Sequence, residues 1–310
     1  MTKSEDSAEN RPGTSGKGFK RRGEYYSPQN LSKALQIRKE LGYHAVVIAG
    51  GTDVMVDHFE ELHEVEHWLD LNNIDELQNI SFNEKEIRVG SMITHQELAN
   101  NEKIQRNLPL LSESAAEVGS WQIRSRGTVG GNIVTASPAG DTLAPMLAHE
   151  ARFVVGSVEG KREIPAGDFF LGPKQNALEP GELLLEIILP RSFSEKFYYW
   201  EKVGKRQAMI ISSVTIALAL EYAKDGRIRE ARPCYGAVAP TPVLLDDVAD
   251  YLRGNKIDQI NIKRVGELAA ESTAPIDDIR GTEEYRRRVT RDITVRALKA
   301  FCARQEVDAQ

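Results

Sequence analysis

Cysteine is scarce, with two residues in 310, Cys234 and Cys302, and no C-x-x-C pair. A disulfide framework is excluded, as is a self-contained four-cysteine iron–sulfur cluster, which needs more thiolates than the chain owns. Both thiols are expected to be buried small hydrophobes in a protein from a reducing compartment. No uninterrupted apolar run approaches the ~20 residues that span a bilayer. An excess of positive charge is missing too. Forty basic against 46 acidic residues leave a net charge of −6, so there is no electrostatic footprint for nucleic acid or an anionic membrane. The phosphate-binding signatures G-x-G-x-x-G and G-x-x-x-x-G-K-[ST] are both absent. A dinucleotide bound here requires a different fold.

What is present is an ordinary globular composition, 41% hydrophobic with 24 glycines, over a length typical of about two domains. The first stretch, MTKSEDSAENRPGTSGKGFKRRG, is polar and charged, and residues 1–23 are read as a disordered extension. Arg21-Arg22 is not followed by an apolar segment, so the expectation is a cytoplasmic protein without an export signal.

Ordered sequence begins at Tyr25-Tyr26. Ser27-Pro28 starts a helix through Leu31, Ala34, Leu35 and Arg38 that closes at Gly42. His44 to Ala49 reads as a short buried strand that breaks at Gly50-Gly51, with Thr52 or Asp53 as a cap for the next turn. Trp68, Leu69, Leu71 and Ile74 indicate a strand and turn, and Ile87 to Val89 another strand. Thr94 to Glu97 forms a capping box, and Pro109 to Gly119 a helix with proline at its start. Gly127 to Pro145 is dense in Gly, Ser, Thr, Ala and Pro and reads as a long functional loop. Strands resume at Ala151–Val155 and Leu183–Leu189. The character changes near residues 190–200. Ile210–Glu221 and Ala231–Val238 are apolar runs, and a final helix carries Val289, Ile293, Ala297 and Phe301 on one face.

Four constellations bear on chemistry. A strand–Gly–Gly device occurs twice, at Val46 to Asp53 and at Gly127 to Asn132. Glycine pairs permit positive φ and close backbone approach, and successive N–H groups make an anion nest, so two such nests suit the two phosphates of a pyrophosphate. Taken singly, each pair is equally a tight turn. His63-Glu64-Val65-Glu66-His67 matches the zinc-hydrolase pattern H-E-x-x-H, with His58 or His95 as a third ligand. Its surroundings, FEELHEVEHWLDL, lack a packed helical face and favour a solvated acidic stretch. Lys202-Val203-Gly204-Lys205-Arg206, beside Trp200, is either a solvated turn or a set of cations facing a cofactor or subunit. Asp141 is a helix N-cap for Thr142 onward, or an acceptor for a sugar or ribityl hydroxyl.

Taken together, AGGTDVMVD, IRSRGTVGGNIVTASPAGDTLAP, EKVGKRQAMIISSVTIALAL and RPCYGAVAPTPV resemble the FAD-binding subunit of the molybdenum hydroxylases, which include xanthine dehydrogenases and aerobic carbon monoxide dehydrogenases. The resemblance runs from about Tyr25 to Phe301. It implies an α+β fold: a two-lobed FAD-binding domain of the PCMH/vanillyl-alcohol-oxidase-like type over 24–195, then a smaller α+β domain over 196–305. It implies FAD contacts from Val47, Ile48, Ala49, Gly50, Gly51, Thr52, Asp53 and Val54, and from Thr128, Val129, Gly130, Gly131 and Asn132. Asp141 is implied at the flavin's polar chain, Leu184 against the flavin, and Lys202 near the isoalloxazine edge.

The same resemblance implies a complex with a small subunit carrying two 2Fe–2S clusters and a large subunit carrying the molybdenum cofactor. Electrons pass to FAD and on to NAD or another acceptor, and no residue here is a bond-breaking catalyst. A cysteine-rich loop found in some relatives is missing, which implies the FAD-only form. Thr52-Asp53, where carbon monoxide enzymes more often have histidine, leans toward a xanthine or other purine substrate. Two rivals are a zinc hydrolase through His63, Glu64 and His67, and a scaffold of the same fold without FAD. Intact glycine pairs count against the scaffold on the premise that only a phosphate requires them.

Overall fold

The computed structural model describes residues 24–60, 65–191, 196–205 and 211–308. The N-terminal extension, His63, Glu64 and Arg206 lie outside them. The architecture is mixed helix and strand, in three sheet-based layers. None of the helices described is long and apolar enough to cross a membrane.

The first lobe is a parallel sheet of β1 (Glu24–Tyr26), β2 (Ala45–Ile48) and β3 (His67–Asp70) in the order β1-β3-β2. Helix α1 (Leu31–Leu41) links β1 to β2, and α2 (Val54–Phe59) follows β2. α1 begins later than Ser27-Pro28 predicts, because Asn30 is the cap, its side chain accepting from the Lys33 N–H at 2.9 Å. It ends as expected at Gly42, at φ 52°. Ala34, Leu35 and Ile37 pack beneath Leu69, Leu71 and Leu77. His67 opens a strand, so it does not share a helical turn with His63 as the zinc pattern requires.

The second lobe is an antiparallel sheet in the order β4-β5-β10-β6-β7. After β4 (Ile80–Phe82) and β5 (Glu86–Gly90) come six helices: α3 (His95–Asn100), α4 (Glu102–Asn107), α5 (Pro109–Ala116), α6 (Trp121–Arg124), α7 (Val129–Thr135) and α8 (Leu143–Ala148). β6 (Arg152–Ser157) and β7 (Gly160–Pro165) follow, then α9 (Ala166–Phe169) and a small hairpin of β8 (Phe170–Gly172) and β9 (Gln175–Asn176). β10 (Leu183–Pro190) returns to the centre of the sheet.

The Thr94 box is complete, Thr94 Oγ1 accepting from Glu97 N and the Glu97 carboxylate from Thr94 N. The stretch from Gly127 to Pro145 is not a loop throughout, since it contains α7 and α8. Thr128 caps α7, Ala136 closes it in the left-handed conformation, and Ile133, Leu143, Ala144 and Met146 are buried. Tertiary burial here overrides the turn-rich composition.

The last layer is an antiparallel sheet of β11 (Lys196–Val203), β12 (Val214–Tyr222), β13 (Ile228–Gly236) and β14 (Val243–Leu244). On β12, Ala217 and Ala219 join the core of the second lobe with Trp200 and Cys234. Val214, Ile216, Leu218 and Leu220 face the other way, under α10 (Asp246–Leu252), α11 (Ile262–Glu271) and α12 (Glu283–Asp308). Both faces are covered, which is why this run is apolar throughout rather than alternating. Ile293, Ala297 and Phe301 are buried on α12, with Val289 packed beside them. Cys234 is buried, but Cys302 is only half-buried, contrary to expectation.

Candidate cofactor cleft

A cavity of about 390 Å³ opens between the first lobe and the helices of the second. Val47, Ala49, Gly50, Gly51, Thr52, Asp53 and Val54 form one wall. Thr128, Gly130, Gly131 and Asn132 form the facing one, with Leu184 from β10. Segments far apart in sequence thus meet as the motif reading expects. Four of the residues singled out do not line it: Ile48, Val129, Asp141 and Lys202.

The glycine pairs are not two copies of one device. The first follows a strand, whereas Gly130-Gly131 sits in the first turn of α7. A Cβ on Gly50 would lie 1.9 Å from the Arg126 carbonyl oxygen, and one on Gly130 2.5 Å from that of Ser91. These two positions let the protein pack on itself, so an empty scaffold would need them as much as a cofactor protein. The premise that only a phosphate requires them does not hold. Gly51 has φ 76°, a left-handed turn that suits glycine.

The amide donors differ as well. Val129 N donates to Ile93 O and Gly130 N to Ser91 O, both at 2.9 Å; Asn132 N donates to Thr128 O at 3.1 Å. Gly131 N donates to Thr128 Oγ1 at 3.0 Å. The second segment has therefore spent its donors on capping and packing. The N–H groups of Gly51, Thr52 and Asp53 have no acceptor among the described residues. They are the donors of this cleft that the fold leaves free for an anion.

Asp141 is not a cap, because Thr142 precedes α8 directly. Lys202 Nζ lies 2.6 Å from Asp141 Oδ2 and donates to the Glu117 carbonyl at 3.0 Å, and Ser212 Oγ donates to Asp141 Oδ1. The Lys202 side chain is only 3% exposed, so it is not part of a solvated turn. Burial pushes the Asp141 carboxyl up against the pull of Lys202 and Ser212. Through the Glu117 carbonyl the pair is tied to the residue that precedes Val118 of the cleft wall. Lys205 lies farther off, donating to the Ile279 carbonyl at 2.6 Å.

The motif reading missed Arg38, Ser91, Val118, Ile123 and Leu183, all in the wall. It considered His95 only as a metal ligand. His95 is buried in the wall, and burial together with Arg124 brings its imidazole down to about 4, which keeps it neutral. The Thr94 capping box was the available signal, since it fixes where α3 starts and His95 is its first residue. His58 stacks edge-on against Trp68 at a centroid distance of 5.0 Å. No group of three potential metal ligands stands together among the described residues.

Two family models match this chain: "FAD binding domain in molybdopterin dehydrogenase" over residues 18–192, and "CO dehydrogenase flavoprotein C-terminal domain" over 199–301. The chain belongs to this flavoprotein family. The flavoprotein is 30% identical to the carbon monoxide dehydrogenase medium chain of Hydrogenophaga pseudoflava over 282 residues, 91% of this chain and 97% of the relative. It is 27% identical to the xanthine dehydrogenase FAD-binding subunit of Escherichia coli O157:H7, covering 90% and 96%.

A solved chain of carbon monoxide dehydrogenase from Hydrogenophaga pseudoflava superimposes with a TM-score of 0.87, covering 91% of this chain and 98% of that one. A chain of quinoline 2-oxidoreductase from Pseudomonas putida 86 does so with 0.84 at 27% identity, covering 90% and 96%. FAD fits the cleft on the flavoprotein's own features. The free amides of its glycine turn would take the pyrophosphate, and Val118 and Ile123 would offer an apolar wall to a flat ring.

Proposed function

We propose that the chain is the FAD-carrying electron-transfer subunit of a three-part molybdenum hydroxylase. It would receive electrons from the 2Fe–2S clusters of a small subunit and pass them to NAD or another acceptor, while a large subunit hydroxylates the substrate. The observation that carries this reading is the cleft, where a turn with free amides at Gly51–Asp53 faces the capped helix α7. FAD supplies the exchange between paired and single electrons. The chain's own part is to hold the pyrophosphate on those amides and to place the buried Lys202–Asp141 pair beside the ring end of the cleft.

Relatives named as carbon monoxide and glyceraldehyde dehydrogenase medium chains support the multi-subunit reading. The substrate is selected by the large subunit, and the Thr52-Asp53 turn favours a purine of the xanthine type. The test is to purify the complex through this chain and mix it anaerobically with xanthine, nicotinate or carbon monoxide. Bleaching of the flavin band by xanthine, followed by reduction of added NAD, is expected. Bleaching by another substrate alone overturns the purine assignment, and no NAD reduction overturns the acceptor.

A further inference from the structure

Arg38 is a buried cation in the cleft wall, 8% exposed, on the last turns of α1. Its Nη1 donates to the carbonyls of Gly42 at 2.6 Å and Ala45 at 3.0 Å, and its Nε to that of Glu182 at 3.3 Å. All three partners are neutral. The Glu182 carboxylate is taken by Arg162 at 2.7 Å, and no carboxylate pairs with Arg38 among the described residues. Burial pulls this guanidinium below its ordinary value, with the Tyr43 phenol, 6.0 Å from Cζ to ring centroid, the only group acting the other way. A buried charge without a counterion is costly unless a ligand or a planar partner offsets it.

Its place in the cleft narrows what that partner is. Arg38 grips Ala45 at the start of β2, whereas the free amides begin beyond the strand's far end. At the usual rise per residue, Ala45 and Gly50 are roughly 16 Å apart along the chain. Arg38 is therefore not a second clamp on the phosphates. Near it the wall is apolar, with Val47 two residues on from Ala45 and Leu183 next to Glu182. Apolar walls beside a planar cation suit a flat aromatic ring with nitrogen acceptors, since guanidinium stacks on such rings and donates to their edges.

We propose that Arg38, with Val47 and Leu183, forms the adenine subsite of this cleft and sets a preference for FAD over FMN. The inference rests on the FAD reading of the cleft, and FMN, which lacks adenine, separates the two. Dissociation constants for FAD and FMN are measured on the full chain stripped of flavin, for the wild type, Arg38→Met and Arg38→Lys. The wild type is expected to prefer FAD. Arg38→Met is expected to weaken FAD about tenfold and leave FMN within about twofold, with Arg38→Lys in between. Equal loss for both flavins, or no loss for either, overturns the subsite, as does a wild type that binds FMN as tightly as FAD. Should Arg38→Met not fold, Arg38→Lys reads the same difference by the same criteria. A wild type that takes up neither flavin overturns the FAD reading together with this inference.

Discussion

Gly50 and Gly51 are neighbours with separate tasks, and substitution separates them. Gly50→Ala forces a Cβ onto the Arg126 carbonyl and is expected to cost about 3 kcal/mol or more, as overpacking against backbone does. Gly51→Ala strains only a left-handed turn, at about 1–2 kcal/mol. Thermal midpoints of the flavin-free chain should rank them in that order, and equal midpoints would contradict the packing role. Removing Lys202 leaves the Asp141 carboxylate buried without its partner. Lys202→Met is expected to cost about 3–5 kcal/mol, most of it recovered when Asp141→Asn is added. Two independent, additive losses would contradict the pairing. The glycine pairs and Asp141 could be picked out from sequence, but their partners could not. Arg126 is remote from Gly50, and Lys202 from Asp141, and local spacing carries no information about such contacts.

Two histidines give the fold a pH dependence. Burial holds His95 at about 4 and His149 at about 3, so both are neutral in the folded chain. Unfolded, each protonates near its ordinary value of 6.5. Below that pH the unfolded state binds more protons, so stability is full above it and falls as pH drops toward about 4. The urea midpoint should therefore fall between pH about 7 and about 5; a flat profile would contradict the buried neutral imidazoles.

Elements specified by their own residues are the ones the sequence shows. The Thr94 capping box, Pro109 at the start of α5 and the Gly42 stop of α1 are all local signals, and each stands where expected. Helices α7 and α8 are held instead by burial and by contacts such as Thr142 Oγ1 to Asn132 Oδ1 at 2.7 Å, so their composition reads as loop. Thr128→Ala removes the α7 cap and is expected to cost about 1 kcal/mol. It also frees the Gly131 amide, so FAD affinity should fall less than the loss of stability implies. On the far side of the C-terminal sheet, Phe301 packs between Phe197 and Tyr222 at centroid distances of 5.1 and 5.2 Å. Phe301→Ala is expected to cost about 3–5 kcal/mol while leaving the flavin spectrum of the folded fraction unchanged. A changed spectrum would contradict the separation of the α12 core from the cleft.

In the whole molecule, the cleft exists only because a parallel lobe, a block of short helices and the central strand of an antiparallel sheet converge. No single motif in the sequence encodes that convergence. The missing glycine signatures excluded the Rossmann and P-loop solutions, and the four quoted segments carried the family, which the matches over 18–192 and 199–301 bear out. The zinc pattern shows the opposite case. Its spacing is right on paper, yet His67 belongs to β3 and the fold gives that spacing no helix at its second ligand. The central claim is that this cleft binds FAD, and the most direct test is the visible absorption spectrum of the purified chain, with the released chromophore identified by chromatography. Flavin bands, with FAD released in near-stoichiometric amount, are predicted. A colourless chain that also fails to take up added FAD would contradict the account.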